Sequence, residues 1–397
     1  MGARSPECKS ESENLQVANK LTYLAQDSGI VSQFTTAVSL HGHTNRSRES
    51  LYFISEFASK RPILRWALSG QDRKAQRVSA IKVDFFKAYW TPPLAPLEAF
   101  QVERKQIEEG LGLKSMISLT DHDNIDAPLL LRVVPEARRI PVSMEWSIPF
   151  EQTVFHLGVH NLPTAEAELW VQRMAAYTER PRVSELWELL FALCTIPQVL
   201  IVFNHPLWDL PKIGRTDHIR AVKSLLQRAN PFVHAFELGG LRTAKENRAV
   251  IELAKAYDHP VIAGGDRHGC EPSGLLNLTS ATSFSEFAQE VRTGHSHVLA
   301  MPQYSDCTHL RMYHTLLDVI RHYPDHPLGS RNWDERVHHP DAQGVPRPLS
   351  TLWEQPPGFM NLIFSVLRMG EAEPMRRTLQ FAFNRGPQVP QLELSES

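Results

Sequence analysis

From about residue 36 the chain alternates short apolar, β-branched runs with longer stretches whose apolar residues recur at helical spacing. This alternation predicts an α/β fold built on parallel strands. The candidate strands are 37–41 (AVSLH), 116–120 (MISLT), 141–146 (PVSMEW), 153–159 (TVFHLGV), 199–204 (VLIVFN), 233–238 (VHAFEL) and 260–265 (PVIAGG). Helical periodicity falls between them at 99–113, 164–180, 216–229 and 244–257, with Thr216 the expected cap of the third. The most apolar stretch, Trp187 to Phe203, is interrupted by Glu188, Pro197 and Gln198, so it reads as a helix followed by a strand and not as a membrane span. Two regions break the alternation. Residues 60–98 are basic at first, then aromatic and proline-rich, and read as an insertion. Beyond about 323 the chain is rich in proline and turn residues, with two short helices expected near 358–369 and 374–384. The division that follows is an N-terminal extension (1–35), a core (36–300) carrying the insertion, and a C-terminal extension (301–397).

Charge changes this picture by exclusion. Forty-two Lys and Arg against 44 Asp and Glu leave a formal net charge of -2, without the basic excess of a nucleic-acid or membrane-surface binder. The four cysteines (Cys8, Cys194, Cys270, Cys307) contain no C-x-x-C pair, so neither a disulfide framework nor a thiolate zinc site is expected, and a reducing compartment fits best. The first residues lack the apolar core of a signal peptide, and Pro6 stands where a myristoylation motif needs Ser or Thr; a cytoplasmic protein is expected. Histidine is the residue in excess, with 18 in the chain, which directs attention to metal ligands.

Those histidines and the carboxylates fall at strand ends. His41 and His43 close the first strand; Asp121, His122 and Asp123 follow the second; Glu145 ends the third; His156 lies in the fourth and His205 follows the fifth. Glu237 lies in the sixth, and Asp266 and His268 follow the seventh. Loops converge at one rim of a barrel-like sheet, and residues i and i+2 of a strand share a face, so His41 with His43, and Asp266 with His268, can each address one ion. A single buried histidine is more often a core residue bonded to backbone, but a whole series placed after successive strands is a joint signal. His295 and His297, a further H-x-H without a carboxylate companion, read as structural, and His338 with His339 as solvated loop.

Taken in order, H-x-H-T (41–44), T-D-H-D (120–123), Glu145 followed by His156 in an H-x-G segment, N-H-P (204–206) and G-x-D-x-H (264–268) resemble the motifs of the PHP (polymerase and histidinol phosphatase) family over roughly residues 36–300. The resemblance implies a distorted seven-stranded (β/α) barrel. It also implies two or three divalent ions (Zn, Mn or Fe) that hydrolyse a phosphate ester through a metal-bound hydroxide. His41, His43, Glu145 and Asp266 would hold the first ion, and Glu145 would bridge to a second held by His156 and His205. His122 and His268 would hold a third. Many members complete that third site with an acid soon after H-x-H-T; here Arg48 stands at such a place and Glu49 is the nearest carboxylate. The stretch between His43 and His122 is also far longer than the usual single helix, which is the insertion again.

Around these ligands, Asp121 and Asp123 are read as groups that orient His122 or handle a proton, and Glu237 as an acceptor for substrate or a ligand histidine. Arg242, Lys245 and Arg267 are candidates for gripping the outer oxygens of a phosphate. Phe86, Tyr89 and Trp90 are read as a lid or pocket wall, or as packing for the insertion. The expected substrate is a small phosphate monoester. Nucleic acid is disfavoured because the only basic run (Lys60, Arg61, Arg65, Arg73, Lys74, Arg77) is short and reads as a solvated helix face. An amidohydrolase-like hydrolase and a non-catalytic binding module remain the competing readings.

Overall fold

A computed structural model of the chain describes residues 18–51, 84, 87–306, 308–323 and 332–353. The two helices expected beyond 357, the basic run of the insertion and Phe86 lie outside these residues. The strands in chain order are β1 (Ala18–Tyr23), β2 (Thr36–Leu40), β3 (Glu49–Ser50), β4 (Tyr89–Trp90), β5 (Lys114–Ser118), β6 (Met144–Phe150), β7 (Thr153–His160), β8 (Leu200–Asn204), β9 (Ala235–Gly239), β10 (Val261–Gly264), β11 (Leu275–Thr279), β12 (His295–Ala300), β13 (Val337–Pro340) and β14 (Pro346–Pro348). The helices used below are α1 (Pro96–Glu108), α2 (Asp126–Leu131), α3 (Ala167–Glu179), α4 (Val183–Cys194), α5 (Arg215–Ala229), α6 (Ala244–Ala256), α7 (Phe284–Arg292) and α8 (Thr308–Ile320).

These strands form two five-stranded sheets, in the orders β1-β12-β11-β2-β5 and β10-β9-β8-β7-β6, and a small third sheet, β14-β13-β4-β3. Each of the seven strands expected from sequence is present, within a few residues. Their pairing is mixed, where parallel pairing was expected: β6 runs antiparallel to β7, β7 to β8, and β11 to both β2 and β12. The reason is connection length. Only residues 151 and 152 join β6 to β7, with Glu151 in the left-handed region, and so tight a link makes a hairpin, whereas a parallel crossover needs a dozen or more residues. Among the described residues the two large sheets do not share a continuous ladder. Single bridges, Gly42 to Arg267 and His122 to Glu145, join their rims.

Strands β2, β8, β9, β10 and β11 are buried along their whole lengths, as expected of strands covered on both faces. The largest apolar cluster packs β6, β7 and β8 against α3, α4 and α5. Trp146, fully buried in β6, meets Tyr177 edge-on at 5.6 Å and donates its indole N–H to Met174 O at 3.2 Å and Thr178 Oγ1 at 3.0 Å. Truncation forfeits the packing and leaves an acceptor pair behind, so Trp146→Ala is expected to cost about 3–5 kcal/mol. A urea melt of the variant measures it; a loss under about 1 kcal/mol, the scale of a surface change, contradicts this packing.

The cap of α5 differs from expectation. Gly214, with φ of 101°, is the N-cap and no side chain caps the first turn, because Thr216 lies inside the helix; the Asp209 carboxylate secures the preceding loop, accepting from the N–H groups of Ile213 (3.0 Å) and Gly214 (2.8 Å). His338 and His339 are not solvated loop. They lie in β13, where His339 is buried and accepts from the Asp84 N–H, and His338 stacks on Tyr89 at 4.9 Å. The pair His295 and His297 belongs to β12, and His297 meets Thr22 Oγ1 at 2.9 Å, in line with a structural role. No helix of the described residues is long and apolar enough to cross a membrane.

Candidate metal centre

Strand β2 ends at Leu40, and the chain turns through His41 with φ of 59°. His205 (φ 28°) and Asp266 (φ 47°) make the same left-handed turn just beyond β8 and β10. Non-glycine residues held in this region cost of order 1–3 kcal/mol each and persist only where surroundings over-determine them. Here backbone bonds across the rim do so: Gly265 N–H to Leu40 O at 2.8 Å, His43 N–H to Arg267 O at 2.9 Å and Thr120 N–H to Gly42 O at 3.0 Å.

The turns aim their side chains at one carboxylate. Glu145, fully buried at the start of β6, has Oε1 within 3.1 Å of His41 Nε2, 3.4 Å of His156 Nδ1 and 3.2 Å of His205 Nε2. Its Oε2 lies 3.4 Å from His43 Nε2 and 3.2 Å from His122 Nδ1. Asp266 Oδ1 sits 3.7 Å from both His41 Nε2 and His43 Nε2. Glu49 supplies a second acidic pole, 3.0 Å from His268 Nε2, 3.3 Å from His122 Nε2 and 3.4 Å from His43 Nδ1.

Four groups of ligand atoms lie within metal-sharing distance: His43–Glu49–His122–His268, His41–His43–Glu145, His41–His205–Asp266 and His122–Glu145–His156. All nine candidate ligands named from sequence therefore meet in one cluster. The grouping differs in detail, because His122 stands between Glu49 and Glu145 and His205 groups with Asp266. Arg48, which stood where an acid is common, is exposed with its guanidinium over Tyr89 at 5.4 Å, while its neighbour Glu49 points inward and is buried. Side chains alternate in and out along residues 47–50, which explains the pair.

The donor set fits divalent cations on a direct observation. His41 Nε2, His43 Nε2, His122 Nδ1, Glu49 Oε1 and Glu145 Oε2 are buried with no hydrogen-bond partner, and buried polar atoms are rarely left so unless an ion or water takes them up. Burial pushes the Glu145 and Glu49 carboxyls up, but the surrounding imidazoles outweigh it and hold both well below the usual range. Asp266 is lowered likewise, by His268 and Arg242 against its burial. The acids are thus ionised, the state in which they bind cations.

The remaining sequence-derived residues separate into roles. Asp121 is fully buried and accepts from the Thr44 N–H (2.6 Å) and hydroxyl (2.7 Å); burial raises it to about 6 despite those bonds. It therefore fixes the loop after His43. Asp123 accepts from the Ser147 N–H at 2.8 Å. Glu237 accepts from His41 Nδ1 at 2.6 Å and from the His205 N–H at 2.8 Å, so both oxygens orient candidate ligands, and a side chain at Gly264 would run into that carboxylate. Such partners tune metal affinity by about 10–100-fold. Glu237→Ala is accordingly expected to weaken metal binding by that factor with the fold intact, measured by chelator competition; unchanged competition refutes this orienting role.

Arg242 reaches the cluster, donating to Asp266 Oδ2 at 2.9 Å while its guanidinium lies 3.9 Å from the centre of the Trp208 ring. Arg267 does not face outward. It is buried, ion-paired to Glu103 at 3.1 Å, and donates to Gly269 O and His43 O, bracing the rim from within. Lys245 is exposed on the first turn of α6. Two residues of the site went unmarked in the sequence. Asn204 donates to Glu145 Oε1 at 3.0 Å and sat in view within N-H-P, whereas Glu103, on α1, carried no local signal.

No known protein family and no curated protein matches the chain. Among solved structures, it is similar to a chain from Bifidobacterium adolescentis described as a metal-dependent phosphoesterase, with 15% identity, a TM-score of 0.32, and 51% of this chain and 92% of that one covered. An amidohydrolase from Chromobacterium violaceum, with sulfate bound and no metal, gives 14%, 0.30, 45% and 83%. PsfC from Pseudomonas syringae gives 14%, 0.32, 52% and 84%.

Proposed function

We propose that the protein is a metal-dependent phosphoesterase of the PHP type acting on a small phosphate monoester, with two or three ions of Zn, Mn or Fe. The observation that carries this reading is Glu145: one buried carboxylate ringed by five imidazoles, with two further acids at the margin of the ring. His41, His43, Glu145 and Asp266 would hold one ion, His156 and His205 with Glu145 a second, and Glu49, His122 and His268 a third. Mixed imidazole and carboxylate donors suit these metals. Bound divalent ions supply Lewis acidity and lower the pKa of water. The seven expected strands, bridged at their rims, are in keeping with a barrel of this type.

The chain's own residues do the rest. Glu237 fixes His41 with Nδ1 protonated, leaving the Nε2 lone pair for an ion shared with Glu145. Arg242, anchored by Asp266 and Trp208, keeps a buried Nε without a partner and would bind the ester's outer oxygens there. Asp121 holds the Thr44 turn, so His43 and His122 keep their separation. Lys245 would add long-range attraction for an anion, and Asp123 fixes the middle of β6 at Ser147.

The test is purification of the chain, elemental analysis, and a screen of phosphate monoesters, diesters and amides. Monoester turnover abolished by a strong chelator and restored by Mn or Zn is the expected result. Folded, metal-replete protein with no turnover of any of them sinks the enzyme reading and leaves a binding module; turnover of amides alone favours the amidohydrolase alternative.

A further inference from the structure

Glu49 and His268, the two ligands that separate the proposed third pocket from the Glu145 cluster, are both held by chain from outside the α/β core. Glu49 lies in β3, paired to Trp90 of β4, and Trp90 pairs in turn with Val337 of β13 in the C-terminal region. Trp90 is buried with its ring 6.0 Å from that of His268, so it walls the pocket between the two ligands. The Thr91 N–H donates to Arg336 O at 2.9 Å, and buried Arg336 donates to Val319 O (2.6 Å) and Arg321 O (2.8 Å) at the end of α8.

Helix α8 reaches the other ligand. Asp318, buried on it, accepts from the Cys270 N–H at 2.7 Å, two residues beyond His268, and a Cβ at Gly269 would sit 2.7 Å from the same carboxylate oxygen. Tyr323 completes the clamp, its hydroxyl 3.2 Å from Cys270 Sγ and donating to Asp318 O at 2.9 Å. A short loop carrying a ligand is thus fixed by main-chain bonding and close packing against a helix from the far end of the chain.

We infer that residues 308–323 and 332–353 are a positioning element for the third ion: Asp318 sets the His268 loop, and the β13–β4–β3 ladder sets Glu49. The inference rests on the metal-centre reading above. It makes the C-terminal region a part of the site that controls whether the third ion is held, separately from the ions at Glu145, whose ligands come from the two large sheets and the turns that follow their strands. Partners that orient ligands are worth about 10–100-fold in metal affinity, and Asp318 touches no ligand atom itself.

The test uses the full chain loaded with Mn, freed of excess metal, and assayed for ions per chain and for competition with a graded chelator. Asp318→Ala is expected to weaken the last ion by about 10–100-fold and leave the others unchanged, matching Glu49→Gln. Adding Asp318→Ala to His268→Ala is expected to weaken the last ion no further, because Asp318 acts through that ring. Asp318→Asn, which keeps an oxygen for the Cys270 N–H, is expected to restore binding, a rescue that loss of mere bulk does not give. Full stoichiometry and unchanged competition in Asp318→Ala overturns the inference, as does loss of the Glu145-bound ions together with the third. Should Asp318→Ala not fold, Tyr323→Phe takes its place, with selective weakening of the last ion expected and wild-type binding overturning the idea. A wild-type chain holding two ions also overturns it and leaves the proposed function standing; a wild-type chain holding none defeats both.

Discussion

Glu145→Gln is expected to empty most of the metal centre. The amide is isosteric, so the packing of β6 stays, but one oxygen becomes an N–H donor facing imidazole nitrogens, and the charge that offsets five surrounding rings is gone. Two of the four ligand groups contain this residue, so metal content should fall by about two ions per chain, not one. Turnover should drop beyond the roughly 100-fold that loss of an outer partner costs. Elemental analysis of wild type and variant side by side decides the matter: unchanged stoichiometry removes Glu145 from its bridging role.

The second large effect is acid sensitivity. Metal binding to histidine requires the neutral ring, so lowering the pH sets protons against cations at every imidazole of the cluster. Burial opposes charge on His122, but Glu49 and Glu145 outweigh it and raise its affinity for a proton to about 10, so binding an ion there displaces that proton and tightens as pH rises. Activity should climb from acid toward neutral or alkaline pH. The fold carries a separate acid term. His160 is fully buried beside Ser118 Oγ at 2.8 Å, and burial lowers it to about 3. Above the ordinary value of 6.5 both folded and unfolded chains leave this ring neutral and its contribution is complete. As pH falls below that value the unfolded chain takes up a proton that the folded chain refuses until about 3, so stability is lost across this window at up to about 1.4 kcal/mol per pH unit. Urea melts from pH 7 to pH 4 in chelator should therefore show a flatter slope for His160→Gln than for wild type. Parallel slopes would show that His160 titrates alike in both states.

Much of the site could be read from local pattern. Each ligand but Glu49 sits in or within a few residues of a core strand, and an apolar run that ends in His, Asp or Glu states in its own letters that a buried strand delivers a polar group to a rim. Glu49 was reachable only as the nearest acid after H-x-H-T. Its inward aim against the outward Arg48 depends on β3, a strand of two residues whose existence rests on partners from 89–90 and 337–340.

The sequence by itself determined seven of the core strands and the four helices named between them, the placement of eight candidate ligands in or just after those strands, and the near-neutral charge, because each depends on hydrophobic period or residue type within a short window. Tertiary structure decided the rest. The β6–β7 hairpin direction, the extra strands β1, β11 and β12, the burial of Arg267 over Glu103, and the return of the C-terminal region to brace Glu49 and His268 all depend on which distant segments meet. A guanidinium reads as a surface charge until a buried carboxylate from another element neutralises it, and a short edge strand has no pattern of its own until its partner supplies the hydrogen bonds. Such pairings are fixed by the free energy of burying the whole set at once, which no local window of sequence contains.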